Sequence, residues 1–295
     1  MKKYLGLDVG GTFLKIAFKE NETIKTDKIS IKDFIEDKDK FLNFLTEMVD
    51  FYKPDRVGIA VAGLVDKKSG LLTNSPNLRA LEGLNIKEYL EKKLNVEVFI
   101  DNDANVAAFG EYVYGNGKGS KVLVCLTLGT GLGGGLVLDG KIFSGVSGSA
   151  MEIGHITVEK DGFPCHCGRK GCLEAYVSSY GLERIHCILT EDKKTSFEII
   201  SLLRENDKKA LESFEIFTHY LSIGIMNIVH IFNPDKVLLS GGIVENFPET
   251  IDLVKSKINS LVFPLPLRDL SIDAGKLGSW SGAYGALALA ESYSS

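Results

Sequence analysis

Apolar residues along this chain alternate between two rhythms. Short runs at residues 3–7, 13–18, 56–61 and 96–101 have glycine, asparagine or a charged residue within two positions of each end, and each predicts a buried strand. Between them Phe34, Ile35, Phe41, Leu42, Leu45, Val49 and Tyr52 recur at helical spacing and stop before Pro54. A shorter helical pattern covers residues 86–93, and Asp103 opens another helix that runs to about residue 113.

A glycine-rich linker closes at residues 118–120, and the opening pattern then returns. An apolar strand at 122–128 leads into the turn Gly129-Thr130-Gly131 and a returning strand at 133–138. Laid over the start, Asp8-Val9-Gly10-Gly11 falls on Thr127-Leu128-Gly129-Thr130. The repeat is weak in residues but clear in organisation. It predicts an α/β fold of two similar domains, residues 1–117 and 118–295, with a ligand cleft between them.

Beyond the repeat the chain reads as mostly helical until Asn233-Pro234. Phe214, Phe217, Leu221, Ile225, Ile228 and Ile231 share a helical face that predicts core. A strand at 236–239 ends in Ser240-Gly241-Gly242, a helix follows at 247–258, and 261–266 reads as loop. A small-residue helix at 283–290 closes the pattern and can pack back on the N-terminal domain.

The proportions, 25% charged and 44% hydrophobic, are those of an ordinary globular protein. A net charge of −5 without a basic stripe argues against a nucleic-acid partner. No apolar run approaches the ~20 residues of a membrane span. Met1-Lys2-Lys3-Tyr4 runs straight into a strand, unlike a signal peptide, so a cytoplasmic, reducing location is expected. Glycine is the outlier: 31 residues without a period imply many tight turns, a setting frequent around phosphates.

The densest chemistry lies between Glu152 and Glu174. Three thiols, Cys165, Cys167 and Cys172, fall within eight residues, and His155 precedes them by ten. Thiolates with one imidazole make a closed tetrahedral zinc set. Disulfides are the alternative, but Cys165 and Cys167 are too close to pair comfortably, and the five cysteines are an odd number. His166 competes for the fourth place; its position between two ligating cysteines favours His155. Cys125 and Cys187 read as buried small hydrophobes.

Gly129-Thr130-Gly131-Leu132-Gly133-Gly134 matches the dinucleotide fingerprint in letters only. That fingerprint needs a helix at its end, and here a strand follows. No Walker loop occurs. A glycine turn between antiparallel strands can still cradle phosphate through its N–H groups, and two such turns would grip a polyphosphate from both sides. Asp8 beside the first is placed to hold Mg²⁺ through water; two plain hairpins are the alternative.

Phe99-Ile100-Asp101-Asn102-Asp103-Ala104-Asn105 sets polar groups where a buried strand gives way to a helix. Asp103 fits two roles, a helix cap or a general base that takes a proton from a hydroxyl. Ser75-Pro76-Asn77 adds another amide after a strand-like segment.

Taken together these motifs resemble the ROK group of sugar kinases and repressors within the actin-like ATPase superfamily, over essentially the whole chain. Leu7-Asp8-Val9-Gly10-Gly11-Thr12 is similar to its first phosphate motif, Leu126-Thr127-Leu128-Gly129-Thr130-Gly131 to its second, and Leu239-Ser240-Gly241-Gly242 to its nucleotide-side glycines. Residues 145–174 are similar to its signature and zinc loop. The resemblance implies two actin-like, ribonuclease H-like domains and transfer of a phosphoryl group from ATP to a sugar. It implies that Asp103 is the base, and that Asn77, Asn102, Glu152, His155 and Glu174 contact sugar hydroxyls. His155 would also ligate zinc with Cys165, Cys167 and Cys172. Asp8, Gly10, Gly11, Thr12, Lys15, Thr127, Gly129, Thr130 and Gly131 would face Mg²⁺ and the ATP phosphates, and Gly241 and Gly242 the nucleoside.

Glucose is the first-choice substrate, with N-acetylmannosamine, N-acetylglucosamine and fructose open. Two positions depart from the family pattern: Leu78-Arg79-Ala80-Leu81 stands where a tryptophan is frequent, and Met151 where glycine is commoner. A repressor would carry an added N-terminal helix-turn-helix, for which the early phosphate motif leaves no room. A non-catalytic sugar sensor is the other rival, and a homodimer, or else a tetramer, is expected.

Overall fold

The structure, a computed structural model, describes residues 2–75 and 77–292; Met1, Pro76 and 293–295 lie outside the described residues. The first repeat supplies β1 (Lys3–Val9), β2 (Phe13–Glu20), β3 (Thr23–Ser30), α1 (Lys38–Tyr52), β4 (Arg56–Val61), β5 (Leu64–Val65), β6 (Leu72–Thr73), α2 (Ile86–Leu94), β7 (Glu97–Asn102) and α3 (Asp103–Val113). Then come β8 (Val122–Leu128), β9 (Leu132–Leu138), β10 (Lys141–Ile142), α4 (Glu174–Val177), α5 (Ser179–Thr190), α6 (Ser196–Arg204) and α7 (Lys208–Phe232). The chain closes with β11 (Lys236–Ser240), α8 (Gly242–Asn246), α9 (Thr250–Leu261), α10 (Pro264–Asp269), β12 (Ser271–Ala274) and α11 (Ser281–Ser292). Packing divides these into two units: Met1–Gly119 with Gly135–Ala150 and Ser279–Ser295, and Ser120–Gly134 with Met151–Gly278.

In the first unit a five-stranded sheet runs in the order β3-β2-β1-β4-β7. The first three strands are antiparallel and β1, β4 and β7 are parallel. The central strands are buried, with Leu5, Leu7, Ile59 and Val61 fully enclosed. The small-residue helix α11 packs on β1, β4 and α3. Glycine permits that closeness: a Cβ on Gly58 would stand 1.8 Å from the Ala286 carbonyl oxygen.

Two local expectations change here. The strand β3 was not expected, because Thr23–Ser30 is polar; it is a largely exposed edge strand whose lysines discourage further pairing. Helix α1 starts at Lys38 rather than at Phe34, because the Asp37 side chain accepts from the N–H groups of Asp39 and Lys40 and fixes the start there. Phe34 still packs against the core that α1 covers.

The second sheet has the order β10-β9-β8-β11-β12, with β8, β11 and β12 parallel. Helix α7 buries Phe214, Phe217, Leu221, Ile225 and Ile228, but Ile231 is 67% exposed, against expectation. Three-residue steps from Ile225 to Ile228 to Ile231 each fall about 60° short of a full turn, so Ile231 rotates off the stripe. The expected helix at 247–258 opens at Thr250 instead, since Pro248 cannot supply the N–H that would extend α8. Pro264, in the expected loop, begins α10, where its fixed φ suits a first turn. The short β12, with one apolar residue in Ser271-Ile272-Asp273-Ala274, carried no strand signal. No helix among the described residues is long and apolar enough to cross a membrane.

Candidate active site

In the first unit the carboxyl ends of the parallel strands lie side by side: Asp8 pairs with Ala60 and Val61 with Asn102. Beyond β1 the hairpin closes through the Gly10 N–H on the Phe13 carbonyl at 3.1 Å, and Ile31 N–H bonds the Thr12 carbonyl at 3.0 Å. Lys15, opposite Asp8 on β2, has its ammonium 3.9 Å from the Asp8 carboxylate and donates to the Ser279 carbonyl. The Asp8 carboxyl packs on the start of α11, where a Cβ on Gly282 would meet its Cγ at 2.6 Å. Burial pushes the Asp8 pKa up to about 6, with Lys15 pulling it down. Asn77 is exposed and borders the same turn: a Cβ on Gly11 would lie 3.1 Å from its own.

At the end of β7 the structure separates two roles the sequence left joined. Asn102, not Asp103, caps α3, its Oδ1 accepting from Ala104 N–H at 3.0 Å and Asn105 N–H at 3.3 Å. Its Nδ2 donates to the Gly63 carbonyl and to Asp103 Oδ1, both at 3.0 Å. Asp103 is the first helical residue, and Ala104 N–H also donates to its Oδ1 at 2.9 Å. The cap reading of Asp103 is therefore replaced. Asn105 is buried and turns inward, donating to Asp101 Oδ1 at 3.1 Å, and burial raises the Asp101 pKa.

The second unit holds the other turn and the cysteines. Gly129 N–H bonds the Gly131 carbonyl at 3.0 Å, and the hydroxyls of Thr127 and Ser240 lie 3.5 Å apart where β8 and β11 end. Thr130 is exposed at the turn. Gly241 has φ +94°, and a Cβ there would stand 2.4 Å from the Leu128 carbonyl oxygen, so only glycine fits; Gly242 follows as the first residue of α8.

His155, Cys165, Cys167 and Cys172 bring one ligand atom each within 4.8 Å of the others. Cys165 Sγ is 3.8 Å from His155 Nδ1, and the Cys167 and Cys172 sulfurs are 3.6 Å apart. A tetrahedral zinc with bonds of about 2.3 Å separates its sulfurs by roughly 3.8 Å, whereas a disulfide holds them at about 2.05 Å. The donor set and its spacing fit zinc, and none of the five cysteines forms a disulfide. His166 lies outside the cluster, its ring 4.2 Å from that of Tyr180. Cys125 is buried as expected, but Cys187 is only partly so.

His155 presents Nδ1 to the sulfurs and Nε2 toward Glu152, 3.9 Å from its carboxylate. Burial raises the Glu152 pKa and His155 lowers it. Glu174 accepts the Leu132 N–H at 3.0 Å on one oxygen and the Tyr180 hydroxyl at 3.2 Å on the other. Tyr180 was absent from the sequence reading, because a tyrosine in a helix carries no motif. Met151 is buried with φ +67°, a conformation that accounts for the commoner glycine there, while Leu78 and Leu81 are core residues of the first unit.

A family model described as ROK family matches residues 4–293. The chain belongs to the ROK family. This ROK protein is 32% identical to a glucokinase from Halalkalibacterium halodurans, a match covering 96% of this chain and 93% of the relative. It is 35% identical to a xylose repressor from Bacillus spizizenii over 77% of this chain and 58% of the repressor, so it spans little more than half of that relative. Among solved structures it resembles a ROK family glucokinase from Streptomyces griseus in complex with glucose and AMPPNP, with a TM-score of 0.81 and 28% identity over 98% of this chain and 99% of that one. The fold is that of the ROK sugar kinases, two α/β units of the actin-like type.

Proposed function

We infer that this ROK protein is an ATP-dependent sugar kinase acting on the primary 6-hydroxyl of a hexose, glucose in the first instance. The observation that carries the reading is Asp103: a carboxylate fixed at a strand end by Asn102 and a helix N–H, in a chain that matches sugar kinases along its length. Asp103 accepts the hydroxyl proton as the sugar oxygen attacks the γ-phosphorus, and the bond to the ADP oxygen breaks. Asn77, Asn102, Glu152, His155 and Glu174 bind sugar hydroxyls, Asn102 chiefly by holding Asp103, since both its Nδ2 hydrogens are engaged.

Asp8, Lys15 and the two glycine turns face the ATP phosphates, and Gly241 and Gly242 the nucleoside. Mg²⁺, when bound, supplies charge neutralisation, and Asp8 is the carboxylate suited to hold it through water. Zinc, when bound, would supply a fixed imidazole: His155 would ligate through Nδ1, which faces the sulfurs, and keep Nε2 for a hydroxyl or Glu152. Five cysteines without a disulfide go with a reducing, cytoplasmic location, and the expected assembly is a homodimer.

N-acetylmannosamine, N-acetylglucosamine and fructose are the next substrates, and the likeness to a xylose repressor supports a non-catalytic sugar sensor as the second reading. Coupled ADP release with Mg-ATP, run against hexoses and N-acetylhexosamines, separates them. Turnover on one sugar bears out the kinase. A flat panel from protein that still binds a sugar favours the sensor.

A further inference from the structure

The segment after the cysteines holds the second glycine turn at both ends. Ser179 N–H donates to the Gly129 carbonyl at 2.8 Å, and Glu174 Oε2 accepts the Leu132 N–H at 3.0 Å. That oxygen fills the place of a side chain on Gly131, whose Cβ would stand 2.7 Å from it. Gly131 is thus glycine for the sake of Glu174, its own φ being ordinary. Gly154 seals the same joint, since a Cβ on it would lie 2.6 Å from the Leu132 carbonyl oxygen and 3.4 Å from Glu174 Cβ.

The other carboxylate oxygen faces the cysteine loop. Glu174 Oε1 lies 3.6 Å from Cys165 Sγ and accepts the Tyr180 hydroxyl at 3.2 Å, while that hydroxyl is 3.7 Å from the same sulfur. The Tyr180 ring is held by the His166 ring at 4.2 Å and the Arg184 guanidinium at 5.4 Å. One hydroxyl on a fixed ring therefore orients a carboxylate whose far oxygen closes the turn.

We propose that Tyr180 is a positioning residue: with Glu174 it ties the His/Cys₃ loop to the turn at residues 129–132, so that the loop sets affinity for the phosphates of the nucleotide. This rests on the kinase reading. Were Glu174 only a sugar contact, its hold on Leu132 would have no consequence for nucleotide. As a link, it makes loss of the Tyr180 hydroxyl loosen the turn while the metal ligands stay in place.

The test uses the full-length, zinc-loaded protein, with calorimetric titration of AMPPNP and of hexose, zinc content, and steady-state kinetics. Tyr180→Phe is expected to keep its zinc, weaken AMPPNP roughly tenfold and raise KM for ATP with a smaller loss in kcat. Glu174→Gln retains an oxygen for the Leu132 N–H and should bind AMPPNP close to wild type, whereas Glu174→Ala should lose at least as much as Tyr180→Phe. Unchanged AMPPNP affinity in Glu174→Ala and Tyr180→Phe, or zinc lost together with nucleotide in Tyr180→Phe, overturns the inference alone. Wild-type protein that binds hexose but no AMPPNP overturns the kinase reading and this inference with it. Should Tyr180→Phe fail to fold, the Gln and Ala variants decide.

Discussion

The two glycine turns read alike in sequence and are held in different ways. The first, at Gly10-Gly11-Thr12, is a self-contained hairpin: its bonds run to Phe13 and from Ile31, and Asp8 faces Lys15 across two paired strands. The second, at Gly129-Thr130-Gly131, is gripped from outside by Glu174 and Ser179, more than forty residues further along. The first thus carries its own charge pair, Asp8 and Lys15, and the second depends on a loop organised by four metal-type ligands. Similar turns answer to different parts of the chain, so they should fail under different insults.

The largest effect expected on the first unit is chemical. Asp103→Asn keeps the Asn102 cap and the shape of the site but removes the proton acceptor, and kcat should fall by about 10²–10⁴. Retention of most turnover in a coupled ADP assay would exclude Asp103 as base.

Next comes the charge at the first turn. Because burial raises the folded pKa of Asp8 from 3.8 to about 6, the folded state holds that proton more tightly than the unfolded chain. Its favourable contribution is therefore full below pH 4 and lost as pH rises through 6. In denaturant titrations without divalent cations, Asp8→Asn should be more stable than wild type at pH 7–8, by about 3 kcal/mol at most, and the gap should close near pH 4. A constant gap would place the shift elsewhere.

The smallest effect separates two glycines of one turn. A Cβ on Gly129 meets nothing within 4 Å, whereas one on Gly131 collides with Glu174. Gly131→Ala should cost about 1–3 kcal/mol in thermal or denaturant unfolding and weaken nucleotide, while Gly129→Ala should fold as wild type. Equal costs would mean that Glu174 does not hold the turn.

Much of this was legible because buried strands, glycine turns and closely spaced cysteines leave local marks. The 122–128 run became β8, and His155 with Cys165, Cys167 and Cys172 converged as the ligand spacing implied. What escaped depends on partners far along the chain. β3 exists only because β2 offers an edge, and Ile231 left the core through accumulated rotation that residue type does not record. Asn102 and Asp103 are neighbours with similar side chains, and only backbone geometry decides which of them caps α3. Tyr180 lies six residues beyond Glu174 and matters through a hydroxyl, which no pattern of apolar positions can flag.

The division of labour is tested most directly by titrating hexose calorimetrically into wild-type protein, Asp103→Asn and metal-stripped protein. The account predicts that Asp103→Asn binds hexose within about threefold of wild type despite its lost turnover, and that stripping the metal weakens hexose about 10–100-fold by releasing His155. Affinity lost in Asp103→Asn and kept in the stripped protein would contradict it.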